Sequence, residues 1–281
     1  MPHTFARALL LAAPACQGID DPVDAGSANY SAGLSDEPDF SVPHGRIRVD
    51  TWFDYGETQL QGGFADGPQP RHHSEAERSG GCRLLTYSPS SCDPACEDSA
   101  LCVEGECQPW PEYQDYGPLL WSWPDGEQTV EPTDWYAYWA TGSASGEGDV
   151  TVELAAFTLS APTITSMDPV RDWDRVIESR GDGDAALQWT NPVLDARVRL
   201  HMTDCEGSHG GIAAAELECE GPDTGELVIP GSYLSAIEQG DWSHGECGSH
   251  TWERYHAATP EGDDTLRFET IGPSGLFWFP G

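Results

Sequence analysis

Arg46-Ile47-Arg48-Val49-Asp50-Thr51-Trp52 alternates charged and apolar side chains. In an extended chain successive side chains point to opposite faces, so Ile47 and Val49 share one side and Arg46, Arg48 and Asp50 the other. That period of two predicts a half-buried strand. Further strand candidates follow at 59–65, 82–87, 118–123, 134–141, 148–157, 186–190, 196–203, 213–219, 225–230, 250–257 and 264–270. Gly62-Gly63, Gly80-Gly81, Asp125-Gly126 and Gly262-Asp263 supply turn chemistry between them. The 31 Gly and 22 Pro argue against long helices, and only Ser232–Gln239 reads as a short one. The chain is therefore expected to be all-β: one or two antiparallel β-sandwiches with a small disulfide-rich insert.

Composition limits the function. Hydrophobic residues make up 38% of the chain and aromatics 10%, which is too apolar for a wholly disordered protein. The formal charge is 13 − 48 = −35, and every basic residue is Arg. Such a surface repels phosphate backbones, which excludes nucleic acid as a partner, and it disfavours anionic lipid for the same reason. High negative charge keeps a protein soluble. It also offers carboxylate oxygens to a divalent metal ion, the one cofactor class that the composition favours.

The first residues read as an export signal. Arg7 precedes the apolar run Ala8–Ala13, and Ala13-Pro14-Ala15 fits a small-x-small cleavage pattern ahead of Cys16. This start resembles the lipobox of bacterial lipoproteins, whose Cys becomes the acylated first residue. Ala13 stands where that family usually has Leu, and Pro14 is a further departure; ordinary cleavage at the same bond is the alternative. The resemblance implies lipidation at Cys16 and, with Gln17 rather than Asp next to it, outer-membrane sorting. The expected layout is a signal peptide at 1–15, an anchor and disordered acidic tether at 16–43, a β domain at 44–160 carrying the insert 82–107, and a β-sandwich at 161–281.

The other eight cysteines are Cys82, Cys92, Cys96, Cys102, Cys107, Cys205, Cys219 and Cys247. An even number in an exported chain reads as a disulfide framework. Five fall before residue 160 and three after it, so full pairing requires a bridge across that boundary. The spacing C-x9-C-x3-C-x5-C-x4-C lacks the C-x2-C knuckles of a zinc ribbon. Among the three pairings open to the last four of these five, Cys92–Cys102 with Cys96–Cys107 is favoured.

Pro162–Thr165, Leu187-Gln188-Trp189 and Arg197–Leu200 follow one another in an order that resembles an immunoglobulin or fibronectin type III sandwich. Gly80–Leu85, Cys92–Cys96, Ala100–Pro109 and Tyr116–Leu120 together resemble a family of uncharacterised bacterial secreted lipoproteins. That resemblance implies an envelope location and carries no activity with it.

Two residue sets are candidates for chemistry. His209, His244 and His250 lie close to Cys205 and Cys247, and imidazole is a common metal ligand. A metal-dependent or serine hydrolase built on residues 201–256 is the enzymatic alternative, although no Gly-x-Ser-x-Gly elbow occurs. Trp121, Trp123, Trp135 and Trp139 crowd two candidate strands, and rings turned to solvent can stack on a sugar. The functional expectation is a lipid-anchored envelope protein with a non-enzymatic binding role toward a protein partner, a glycan or a divalent ion.

Overall fold

The computed structural model describes residues 37–277, apart from 53–56, 88–91, 98, 135–136, 144–145, 165–182, 204–212, 239–249, 264 and 273–274. In chain order the strands begin with β1 (Gly45–Trp52), β2 (Glu57–Phe64), β3 (His73–Ser79), β4 (Cys82–Tyr87), β5 (Ala100–Val103) and β6 (Glu106–Pro109). Next come β7 (Leu119–Trp123), β8 (Gly126–Val130), β9 (Ala137–Ser143), β10 (Asp149–Leu154), β11 (Phe157–Pro162) and β12 (Ala185–Gln188). They end with β13 (Arg197–Thr203), β14 (Ala215–Pro222), β15 (Glu226–Ile229), β16 (His250–Ala258), β17 (Leu266–Ile271) and β18 (Gly275–Phe277). The helix α1 (Gly231–Glu238) follows β15. The fold is all-β, as the alternation predicts.

Ten strands form one long sheet in the order β3-β4-β14-β13-β16-β17-β1-β2-β9, with β18 added to β16. The β1–β17 pair is parallel, whereas the other pairings are antiparallel. Strands from after residue 160 sit as a block between strands from before it in this sheet, so that point does not divide it. Cys82 and Cys219 sit directly opposite each other on β4 and β14 and are bonded, which supplies the bridge that the cysteine parity requires.

One face of the long sheet is covered at two places. The sheet β11-β10-β7-β8 packs over β1, β2, β9 and β17. Ile47, Val49, Leu60 and Phe268 there meet Trp121, Val150, Val152 and Leu159 in one core. The ribbon β12-β15 and helix α1 cover β4, β13, β14 and β16. Val198, Leu200, Leu217 and Trp252 there meet Leu187, Ile229, Tyr233 and Ile237 in a second core. Between strands and cover, Arg254 pairs with Asp223 at 2.7 Å in full burial. Asp223 also accepts from Trp189 Nε1 at 2.5 Å.

The hairpin β5–β6 stands apart from both cores and is held by Cys92–Cys102 and Cys96–Cys107. Its two-residue turn needs positive φ at both positions, and Glu104 (51°) with Gly105 (85°) provides it.

Candidate functional site

The uncovered face of the long sheet is built from alternate residues of its central strands. Because Ile47, Val49, Val198, Leu200, Leu217, Cys219 and Phe268 point into the cores, their neighbours must point out. Those neighbours are Arg46 and Arg48 on β1, Arg267 and Glu269 on β17, Arg197, Arg199 and His201 on β13, and Glu216, Glu218 and Glu220 on β14. Glu253 and Tyr255 complete the row from β16.

Arg46, Arg48, Arg199, Arg267, Glu253 and Glu269 form a continuous ion-pair lattice, with Arg197, Glu220 and Tyr255 beside it. Glu269, with no exposed side-chain surface, accepts from Arg46 and, at 3.0 Å, from Arg199. Arg199 also reaches Glu253 at 2.5 Å. Arg48 bridges Asp50 at 2.6 Å and Glu253 at 2.8 Å. Glu220 accepts from Arg197 at 2.6 Å and from the Tyr255 hydroxyl at 2.7 Å. Burial alone would push the Glu269 carboxyl up, but the charges of Arg199 and Arg46 outweigh it and hold it far below the usual carboxylate range. The same contest, with Arg199 and Arg48, ends below the usual value at Glu253. Burial and the facing carboxylates of Glu220 and Glu269 push the Tyr255 phenol well up, which keeps it a hydrogen-bond donor.

The segment 37–44 runs along one side of this lattice. Asp39 pairs with Arg267, which also donates to Ser41 Oγ at 2.9 Å. The Phe40 ring stacks under the Arg83 and Arg78 guanidinium groups at 4.6 and 5.1 Å. With this segment as a wall, the sheet face becomes a cavity of about 1000 Å³. Six of the chain's 13 arginines line it, so a strongly acidic protein gathers much of its positive charge there.

The far rim of the cavity is aromatic. Trp139 is 59% exposed and Tyr113 42%, and both line the cavity. Trp139 lies opposite Gln61 across β9–β2, and Gln61 Nε2 donates to Asp50 at 2.9 Å, so the ring adjoins the lattice. Tyr113 lies over Gly63, where even a Cβ would come within 3.4 Å of its ring. A backbone bridge to Ala65 and a 3.2 Å hydrogen bond from Gln69 fix its position.

Of the tryptophans expected to stack on a ligand, Trp139 is, among the described residues, the one on the open face. Trp121 is a correction: it has no exposed surface and fills a core, because β7 turns it toward the long sheet. Trp123 is half-buried and packs against that core, with its ring 4.4 Å from Trp121. Trp135 lies outside the described residues, as do Cys16, Cys205, Cys247, His209, His244 and the side chain of His250. The expected histidine site therefore falls outside the described part. His256 is buried and its ring contacts the Asp195 carbonyl at 3.2 Å.

A different imidazole–carboxylate group is in place at the other end of the same face. His201, Glu216 and Glu218 each bring a ligand atom within 4.8 Å of the others. His201 Nε2 stands 3.7 Å from Glu216 Oε2. His73 Nδ1 stands 3.5 Å from Glu216 Oε1, while its Nε2–H donates to the Ala213 carbonyl at 2.7 Å. Arg83 and Arg71 pair with Glu218 at 2.5 and 2.9 Å. Sequence reading passed over both this group and the lattice. The signal was available as charged residues at every second position of otherwise apolar strands, in Arg197-Val-Arg-Leu-His201 and Glu216-Leu-Glu-Cys-Glu220.

Neither a protein-family model nor a curated protein matches the chain. Among solved structures it is similar to a protein described as a Ca²⁺-stabilized adhesin that helps an Antarctic bacterium reach out and bind ice. The identity is 11% and the TM-score 0.20, over 84% of this chain and 49% of that one. The chain thus spans about half the length of that protein, and a superposition this loose supports no structural argument.

Proposed function

We propose that this chain is an exported, membrane-anchored binding protein whose open sheet face holds a glycan. The observation that carries the reading is the exposed Trp139–Tyr113 rim beside a prearranged lattice of donors and acceptors. A sugar hydroxyl donates and accepts at once. Paired Arg and Glu side chains offer both functions in fixed geometry, and aromatic faces take the apolar side of the ring. Because the lattice is already ordered, little side-chain entropy is lost on binding.

Trp139→Ala tests this. Its exposure predicts a stability change within about 0.5 kcal/mol. Removal of an aromatic stacking contact predicts at least about 2 kcal/mol of lost affinity, roughly 30-fold. A glycan array selects the ligand, and calorimetry on wild type and variant measures the loss. Wild-type binding to no glycan, or equal binding by Trp139→Ala, would remove the reading.

The location rests on the sequence around Cys16 and on the disulfides, which form and persist outside the reducing cytosol. Cys16→Ser is expected to move the protein from the membrane to the soluble fraction, because stable anchoring requires the acyl chains. Unchanged fractionation would defeat the anchor.

A further inference from the structure

The geometry points to a zinc site formed by His201, Glu216 and Glu218, at the end of the open face opposite the aromatic rim. It is independent of the glycan reading and carries its own readout.

The three residues come from neighbouring strands. His201 on β13 lies directly opposite Glu218 on β14, and Glu216 is two residues away on the same face of β14. Sheet pairing thus brings one imidazole and two carboxylates together, with their ligand atoms within 4.8 Å of one another. The 3.7 Å between His201 Nε2 and Glu216 Oε2 is longer than a good hydrogen bond. It approaches the spacing of about 3.3 Å between ligands that each sit about 2.0 Å from a tetrahedral Zn²⁺. Closing the site requires the remaining ligand atoms, within 4.8 Å of one another, to approach by up to about 1.5 Å.

Supporting contacts are also present. The Ala213 carbonyl orients His73 through its Nε2, and the other ring nitrogen faces the Glu216 oxygen directed away from His201. Such outer contacts fix the orientation of ligating carboxylates. Arg83 holds Glu218 through Oε2 at 2.5 Å and Arg71 through Oε1 at 2.9 Å, which leaves the second lone pair of each oxygen for the metal. One His and two carboxylates suit Zn²⁺ better than Ca²⁺, which prefers six to eight oxygens. Three protein ligands leave one position for water or an oxygen atom of a molecule in the cavity.

The other group with metal-ligating chemistry among the described residues is Cys92, Cys96 and Cys107. Its sulfurs are consumed by Cys92–Cys102 and Cys96–Cys107, so it is no competitor.

The experiment titrates Zn²⁺ into EDTA-treated, dialysed full-length protein by calorimetry, with Co²⁺ as a spectroscopic probe. Wild type is expected to bind one equivalent and to give a Co²⁺ spectrum without a thiolate charge-transfer band. His201→Ala and Glu216→Gln are each expected to weaken this binding at least tenfold, with the near-ultraviolet circular dichroism unchanged. Should Glu216→Gln fail to fold, His201→Ala decides alone, because its ring is partly exposed and outside both cores. His209→Ala/His244→Ala is expected to bind as wild type does. Absence of saturable binding overturns the site, as does affinity that follows His209 and His244 or a Co²⁺ spectrum with thiolate ligation.

Discussion

Glu269→Gln is expected to lower the unfolding free energy by about 3–5 kcal/mol at neutral pH, the usual consequence of removing one partner from a buried charge network. Its carboxylate is fully buried and is shared by Arg46 and Arg199, with Arg267 at 3.8 Å. The amide keeps the shape but offers no negative charge, so Arg46 loses this carboxylate while Arg199 keeps Glu253 and Arg267 keeps Asp39. The pH dependence adds a second signature. The folded-state values of Glu253 and Glu269 lie below their unfolded ones. A depressed carboxylate stabilises the folded state fully above its unfolded value, about 4.3 for Glu, and less as pH falls toward its folded value. Wild type should therefore hold a plateau above about pH 5 and lose stability below about pH 4, whereas Glu269→Gln should lose less over that range. Urea titrations followed by Trp fluorescence at stepped pH measure both effects. A loss below about 1 kcal/mol at pH 7 would mean that water reaches Glu269 and screens it. The double variant Arg199→Met/Glu269→Met should cost less than the two single changes added together, because it removes the charges in pairs.

The residues of this lattice show how far the sequence could be read. Alternation in Arg46–Val49 correctly put Ile47 and Val49 in the core and Arg46 and Arg48 on the opposite face, and Cys82–Tyr87 and Arg197–Thr203 match their strands closely. The short helix after Pro230 was likewise legible. β3 escaped because His73-Ser-Glu-Ala-Glu-Arg-Ser79 has almost no apolar side chains; it lies at the sheet edge, where neither face requires them. β8, an edge strand with mostly exposed residues, escaped for the same reason. The parallel pairing of β1 with β17 joins residues some 220 positions apart, and no local period encodes it. This also explains the fate of the site residues. Trp121 and Trp139 look equivalent as members of alternating strands, and only the stacking of one sheet on the other decides that the first is core and the second rim. Likewise, the partners of Glu269 come from β1, β13 and β17 itself, so the lattice exists only once these strands are adjacent.

Cys82→Ala/Cys219→Ala is expected to destabilise the protein by about 5 kcal/mol, the loop-closure value for a bridge of this span. The two cysteines are 137 residues apart, so the bond closes a loop of about half the 281-residue chain. Both lie fully buried in the core beneath β12, β15 and α1, where truncation to Ala adds a packing loss to the entropic one. Their neighbours on β14, Glu218 and Glu220, anchor the open face, so loosening the β4–β14 pair should also disorder Arg83 and the wall formed by Phe40. Cys92→Ala/Cys102→Ala provides the contrast. That bond spans 10 residues, in a hairpin that contributes to neither core. The hairpin can open locally without exposing either core, so the midpoint of the main transition should barely move, although proteases should gain access to residues 92–109. Guanidinium unfolding of the two double variants, combined with limited proteolysis, separates these outcomes. Equal shifts would mean that the hairpin and the sheet unfold as one cooperative unit. A midpoint unchanged by loss of Cys82–Cys219 would mean that β4 already pairs with β14 in the unfolded ensemble, leaving the bond little entropy to remove.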